Sequence, residues 1–172
     1  ALIGEKKAYE RLEFFIKNGL KNYKDGRNFP SLDNVSRLAP NFHFGEISPN
    51  KVWYTVINNN ENTDHFLSEL GWREFSNHLL YHFPQFIYEN LQKKFDGFPW
   101  KNDGIALKKW QKGLTGFPLV DAGMRELWQT GSMHNRLRMV VGSFLVKNLL
   151  IDWRHGAKWF WNCLFDANIA NN

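Results

Sequence analysis

The 172-residue sequence has a single cysteine, Cys163, which excludes an internal disulfide and any cysteine-cluster metal site and agrees with a reducing compartment. It has no uninterrupted apolar run of about 18 residues, so no membrane span is expected. The opening ALIGEKKAYE lacks the apolar core of a secretory signal, and a cytoplasmic protein is expected. Neither GxxxxGK nor GxGxxG occurs, so a bound nucleotide would have to be held in another way. His78 and His82 have the i, i+4 spacing of a zinc helix, but no Glu follows the first and no third ligand is evident, so no metal is expected. Alternating strand patterns, internal repeats and low-complexity tracts are also missing, which points to an all-α protein.

What is present suits one globular domain: 43% apolar and 23% charged residues. The net charge of +5 favours an anionic partner, though plain soluble proteins are often as basic. Eight tryptophans are the sharper oddity. Rings not needed for packing often stack on bases or on a cofactor.

Gly and Pro divide the chain into helices with short links. Helical spacing predicts a first helix over about 4–18, with Ala8, Leu12, Phe15 and Ile16 on one stripe and Gly19 as its stop. Residues 20–47 read as irregular. Ser48 and Pro49 open a helix to about 58, and Thr63 opens one lasting to Pro84. Further helices are predicted over 104–112, 118–130, 132–152 and 156–165, with Gly113 and Gly131 as stops.

The stretch SMHNRLRMVVGSFLVKNLLIDWRHG poses a question, because a helix N-terminus favours anions and this one carries Arg136 and Arg138. A nearby anion is implied. Asn135, Arg138, Met139 and Gly142 fall on one face, offering an amide, a cation, a soft apolar contact and a gap. That gap could admit something flat to the backbone, or the helix could pack closely on another with Arg138 paired to a core carboxylate. Glu69, Trp72, Arg73 and Ser76 likewise share a face. They could hold a polar aromatic ligand, or Glu69 and Arg73 could form an ordinary surface pair. In NVSRLAPNFHFGEISP, Ser36, Arg37 and successive amides could cradle phosphates, or simply form a capped loop.

In order and spacing, SRLAPNFHFGEISP, ELGWREFSNHLLYHFP, WQKGLTGFPLVDAGMREL, SMHNRLRMVVGSFLVKNLLIDWRHGAKWFW and FDANIANN resemble the FAD-binding domain of the photolyase and cryptochrome family. HNRLRM resembles the class I cyclobutane pyrimidine dimer photolyases. The resemblance implies an all-α FAD-binding domain over residues 1–172, partial because the family's antenna domain and the last part of the FAD domain are not in the sequence. It implies FAD, reduced for repair, DNA containing pyrimidine dimers as partner, and a second antenna chromophore only in the full-length protein, which is usually a monomer.

The resemblance also carries site residues. Arg138 and Asp166 match the pair beside the flavin ring, and Asn171 the residue facing flavin N5, where an asparagine is typical of repair enzymes. Tyr23, Val35, Ser36, Arg37, Leu38 and Ala39 match the stretch holding the FAD phosphates, and Phe66 a cofactor-contacting aromatic. Val35 and Ala39 stand where hydroxyl residues are usual, and Asn168 replaces a usual aspartate. Glu69, Trp72, Asn135 and Met139 match lesion contacts, with a protonated or well hydrogen-bonded Glu69 steadying the dimer radical. Arg27, Arg73 and Arg136 resemble the surface facing DNA, and Trp153 and Trp100 the middle and outer members of the chain that re-reduces the flavin. The implied activity is light-driven dimer repair, a carbon–carbon lyase. A photoreceptor without repair is the alternative, and a flavin-free helical DNA-binding module the blander one.

Overall fold

The computed structural model describes residues 3–59 and 63–171; Asn172, the last residue of the FDANIANN block, lies outside them. Among the described residues there are helices, turns and loops but no strand, as the missing alternation predicts. No helix among them is long and apolar enough to cross a membrane. The chain divides into two compact units, Ala1–His78 and Leu79–Asn172.

The first unit begins with α1 (Glu5–Asn18), whose apolar spacing buries Ala8, Leu12 and Phe15. The region predicted as irregular contains two short helices, α2 (Tyr23–Gly26) and α3 (Ala39–His43). Neither is long enough for apolar periodicity to register, and both are anchored by one or two buried residues rather than by a stripe. Helix α4 (Pro49–Ile57) starts as expected, with the Ser48 hydroxyl accepting from the Lys51 N–H at 3.1 Å. Helix α5 (Asp64–His82) buries Phe66, Leu67 and Leu70 near its start. Phe15, Tyr23 and Phe66 form a cluster with centroids 4.8 to 5.7 Å apart, and Leu38, Ile47, Val52 and Val56 complete this core.

In the second unit, α6 (Gly104–Gln111) is capped by Asp103, whose carboxylate accepts from the Ile105 and Ala106 amides. Helix α7 (Pro118–Thr130) ends at Gly131 in the left-handed region, φ 66, where the Phe165 ring leaves no room for a Cβ. Helix α8 (Asn135–Ser143) starts later than the sequence suggests. His134 is its cap, Nδ1 accepting from the Arg136 N–H at 3.2 Å, so residues 132–134 stay outside.

The predicted continuation to 152 also fails as a regular helix. Residues Phe144–Asn148 form a π-helical turn and Leu150 has φ 58. Asp152 then caps α9 (Trp153–Cys163), which therefore opens three residues before the predicted 156. Two helices with one apolar face in common cannot be separated by periodicity, and a left-handed leucine carries no sequence signal. The core of this unit includes Trp110, Met124, Leu127, Leu137, Val141 and Leu145, and the Trp110 indole N–H donates to the Val141 carbonyl at 3.0 Å. Burying that ring without an acceptor would cost about 1–3 kcal/mol.

Candidate functional site

In the first unit, Glu69 projects from α5 one turn beyond the buried Phe66. Its carboxylate is joined not to Arg73, the surface pair considered above, but to Arg27 at the end of α2, which donates through Nη1. Arg27 is only 8% exposed, so the surface cation expected there is instead buried, stacked over the Tyr23 ring at 5.3 Å. The Glu69 hydrogen bond raises the Arg27 pKa against the opposing effect of burial. A fixed guanidinium thereby orients one carboxylate oxygen, while Glu69 keeps 35% side-chain exposure. Glu69 is thus well hydrogen-bonded, by a partner that spacing along α5 could not reveal because it lies 42 residues away.

Trp72 is 63% exposed and meets the Phe75 ring edge-on at 5.7 Å. Such exposure of an indole is costly in packing and leaves a flat apolar face available. Arg73 pairs with Glu74 at 3.4 Å and lies 5.5 Å over the Phe42 ring. The Ser76 hydroxyl donates back to the Trp72 carbonyl, so of the predicted face Glu69 and Trp72 present functional groups outward while Ser76 is turned to its own helix.

The segment from Val35 to Ala39 is held from behind. Arg11 donates to the Ser36 and Val35 carbonyls at 2.9 and 3.1 Å, and Leu38 is fully buried. Arg37 takes φ 53 and Leu38 follows in the right-handed region, φ −86, ψ −3. A left-handed residue next to a right-handed one turns successive amides to one side, the geometry of an anion nest. The Leu38 N–H leans on the Ser36 hydroxyl at 3.4 Å, and Ala39 opens α3. Arg37 is held by Asp33 at 3.2 Å. Arg11 was missed by sequence reasoning: an arginine on an amphipathic helix gives no hint that its partner is a loop carbonyl. Tyr23 and Phe66, both buried, face each other edge-on at 5.2 Å.

In the second unit the implied anion is found. Arg138 Nη2 donates to both oxygens of Asp166, at 3.0 and 2.9 Å, and its Nε donates to the Met133 carbonyl at 2.9 Å. Both side chains are largely buried, 18% and 10% exposed. On the same helix Asn135 and Met139 are exposed, with Arg136 Nη1 3.4 Å from the Met139 sulfur. A Cβ at Gly142 would meet nothing within 4 Å, so the gap predicted on this face is open and is not filled by a tightly packed helix.

Beyond Asp166, the Asn168 side-chain oxygen accepts from the Ala170 and Asn171 amides and from Asn171 Nδ2, at 2.9 to 3.2 Å. The amide at the position of a usual aspartate thus performs the capping a carboxylate oxygen would, without its charge. It also fixes Asn171. Trp153, at the start of α9, donates its indole N–H to Asn90 at 2.9 Å and carries Arg154 over its ring at 4.8 Å. Trp100 lies against Phe98 with centroids 4.3 Å apart. Asn90 had no sequence signal.

The residues present fit an isoalloxazine cofactor on observations of the fold itself. In the first unit the nest-like loop offers a place for phosphates; in the second the compensated arginine beside an open glycine offers a place for a flat ring. Comparison with known proteins agrees. Residues 66–172 match the family described as the FAD binding domain of DNA photolyase. The deoxyribodipyrimidine photo-lyase of Agrobacterium fabrum is 49% identical over 98% of the chain, and the chain spans 36% of that protein. A crystal structure of a bacterial class III photolyase from Agrobacterium tumefaciens superposes with a TM-score of 0.94 at 48% identity, over 97% of this chain and 36% of that one. A Synechocystis cryptochrome superposes at 0.90 with 37% identity, over 97% of this chain and 36% of that one.

Proposed function

This chain belongs to the family of the DNA photolyase FAD-binding domain, and on that premise we propose that the protein carrying it uses FAD and light to repair cyclobutane pyrimidine dimers in DNA. The observation that carries the proposal is the Arg138–Asp166 pair beside the open Gly142, on the helix that also presents Asn135 and Met139. The FAD contacts proposed in the first unit are Tyr23, Val35 to Ala39 and Phe66, and those proposed in the second are Arg138, Asp166, Asn168 and Asn171. Reduced FAD, when bound, supplies the light-released electron that opens the cyclobutane ring and afterwards returns.

The chain's own residues supply placement and electrostatics. The backbone amides after Arg37 hold the anionic phosphates, with Arg11 fixing the loop from its carbonyl side. Arg138 favours negative charge on the neighbouring ring, and Asp166 keeps that cation from being over-strong while locking its direction. Glu69, aimed by Arg27, hydrogen-bonds the pyrimidines, and Trp72 gives them an apolar face on leaving the duplex, a step made easier because a dimer pairs and stacks badly. Arg73 and Arg136 add the salt-dependent hold on DNA phosphates. Trp153 and Trp100 serve re-reduction. A cytoplasmic location suits a DNA-repair protein with one cysteine, itself half-buried and raised in pKa by burial.

Two specific observations bear on the finer assignment. The HNRLRM turn supports class I, whereas the identity with the Agrobacterium class III structure extends along nearly the whole chain and supports class III. Likeness to a cryptochrome supports the sensor reading, and Asn171 supports repair over it. Light-dependent loss of dimers from damaged DNA, absent in the dark, is the result expected of the whole protein. Flavin that reddens or bleaches under blue light with no dimer loss would support the sensor.

A further inference from the structure

The second unit contains a cavity of about 350 Å³ whose walls are none of the residues assigned above: Gln111, Lys112, Arg125, Trp128, Gln129 and Trp159. Its size lies at the lower end of small-molecule pockets, roughly 300–1,000 Å³. Two indoles dominate it. Trp128 and Trp159 stack almost parallel, 11° between planes and 5.7 Å between centroids. Trp128, on the solvent side, is 69% exposed, so one large ring presents its surface without being needed to fill the core.

The polar groups around these rings have one character. No carboxylate lines the cavity, and Lys112 and Arg125 form no ion pair among the described residues. Lys112 follows α6, where a cation also complements the helix dipole. Arg125 lies in the middle of α7, its Nη2 held by the Gly113 carbonyl at 2.7 Å, and its other N–H donors have no partner among the described residues. Gln111 and Gln129 add neutral amides. The Trp159 indole Nε1 is buried and has no acceptor among the described residues, whereas that of Trp110 in the same core is satisfied by Val141.

These features select a ligand class. A cation is opposed by Lys112 and Arg125, and an aliphatic anion would leave the face of Trp128 unused. We propose that this cavity binds a planar heteroaromatic anion about the size of a mononucleotide. Its ring lies against Trp128, whose other face is backed by Trp159, and its negative group is held by Lys112 and Arg125. Stacking on one indole and a charge on the adjacent cations reinforce each other, since each fixes the orientation the other needs.

Adenosine 5′-monophosphate is a suitable probe, with adenosine and inorganic phosphate as controls, read by the indole N–H signals of nitrogen-15-labelled protein. Signals of Trp128 and Trp159 are assigned with Trp128→Phe and Trp159→Phe. The nucleotide should shift both saturably, with and without added FAD, while adenosine and phosphate each bind more weakly. Trp128→Ala, at an exposed position that leaves the fold intact, should weaken nucleotide binding about tenfold. Lys112→Ala should weaken the nucleotide by about threefold and leave adenosine unaffected. Silence of both indole signals at millimolar nucleotide, or a Trp128→Ala affinity equal to that of the parent, would overturn the proposal. So would phosphate binding as tightly as the nucleotide.

Discussion

Arg138 and Asp166, 28 residues apart in sequence, are joined by one guanidinium nitrogen bonded to both carboxylate oxygens, with neither side chain more than a fifth exposed. An arginine near the start of a helix would be unfavourable alone; here the carboxylate of a following loop balances it.

Removing that balance leaves a largely buried cation. Asp166→Ala should lower unfolding stability by about 3 kcal/mol and release flavin or shift its redox behaviour. Urea unfolding and flavin titration check both. Normal flavin content with an unchanged potential would refute the assigned role, whatever the stability.

Trp72→Ala has the opposite profile. An exposed ring contributes little to folding, so stability should change by no more than about 0.5 kcal/mol. Preference for damaged over intact DNA should fall about tenfold, as expected for loss of a stacking surface. Competition binding with dimer-containing and intact oligonucleotides measures it, and an unchanged ratio removes Trp72 from the lesion site.

Arg27 holds the Glu69 carboxylate, and its proposed role is to aim it. Arg27→Met should keep the apolar volume near Tyr23 but free the Glu69 carboxylate, lowering the damage preference while affinity for intact DNA stays within about twofold. A uniform loss on both DNAs would instead return Arg27 to the role of a phosphate contact.

Asp121 ties the loop before α7. Burial pushes its carboxyl up, but hydrogen bonds from the Thr115 hydroxyl and amide and the Gly116 amide, with the nearby Arg125 charge, outweigh this and hold it below the usual carboxylate range. A lowered folded pKa stabilises above the unfolded value, about 3.9, and that stability fades as pH falls through the folded pKa. The melting temperature of Asp121→Asn should therefore be lower at neutral pH, the gap should begin to close only as pH falls below about 3.9, and the two should meet below the folded pKa. Parallel melting curves at every pH would contradict this.

Trp153→Phe should slow photoreduction of oxidised flavin yet spare repair when the flavin is reduced beforehand. Absorbance under steady illumination and a repair assay after chemical reduction separate the two. Equal photoreduction rates would count against Trp153 as an electron carrier.

Sequence alone made the helical class, the α1 stripe, the Ser48 cap and the Gly131 stop legible, because each is a local rule about spacing or a single backbone preference. It also implied an anion near Arg138, since charge at a helix end demands compensation. What it could not supply were partners distant in the chain: Arg11 behind the Val35–Ser36 carbonyls, Arg27 on Glu69, Asn90 on Trp153. The expected uninterrupted helix over 132–152 failed for a related reason. His134 caps through a local bond to the Arg136 N–H, and the left-handed Leu150 is held by a distant one, from the Lys101 N–H to its carbonyl at 2.7 Å.

The most direct measurement is single-turnover repair: the whole protein carrying this chain, with its flavin reduced beforehand, is mixed with an oligonucleotide containing one thymine dimer and given a blue flash. Recovery of thymine absorbance after the flash, none in the dark, and a strong reduction in Glu69→Gln are the predicted results. Intact flavin, bound lesion and no recovery after repeated flashes would contradict the account.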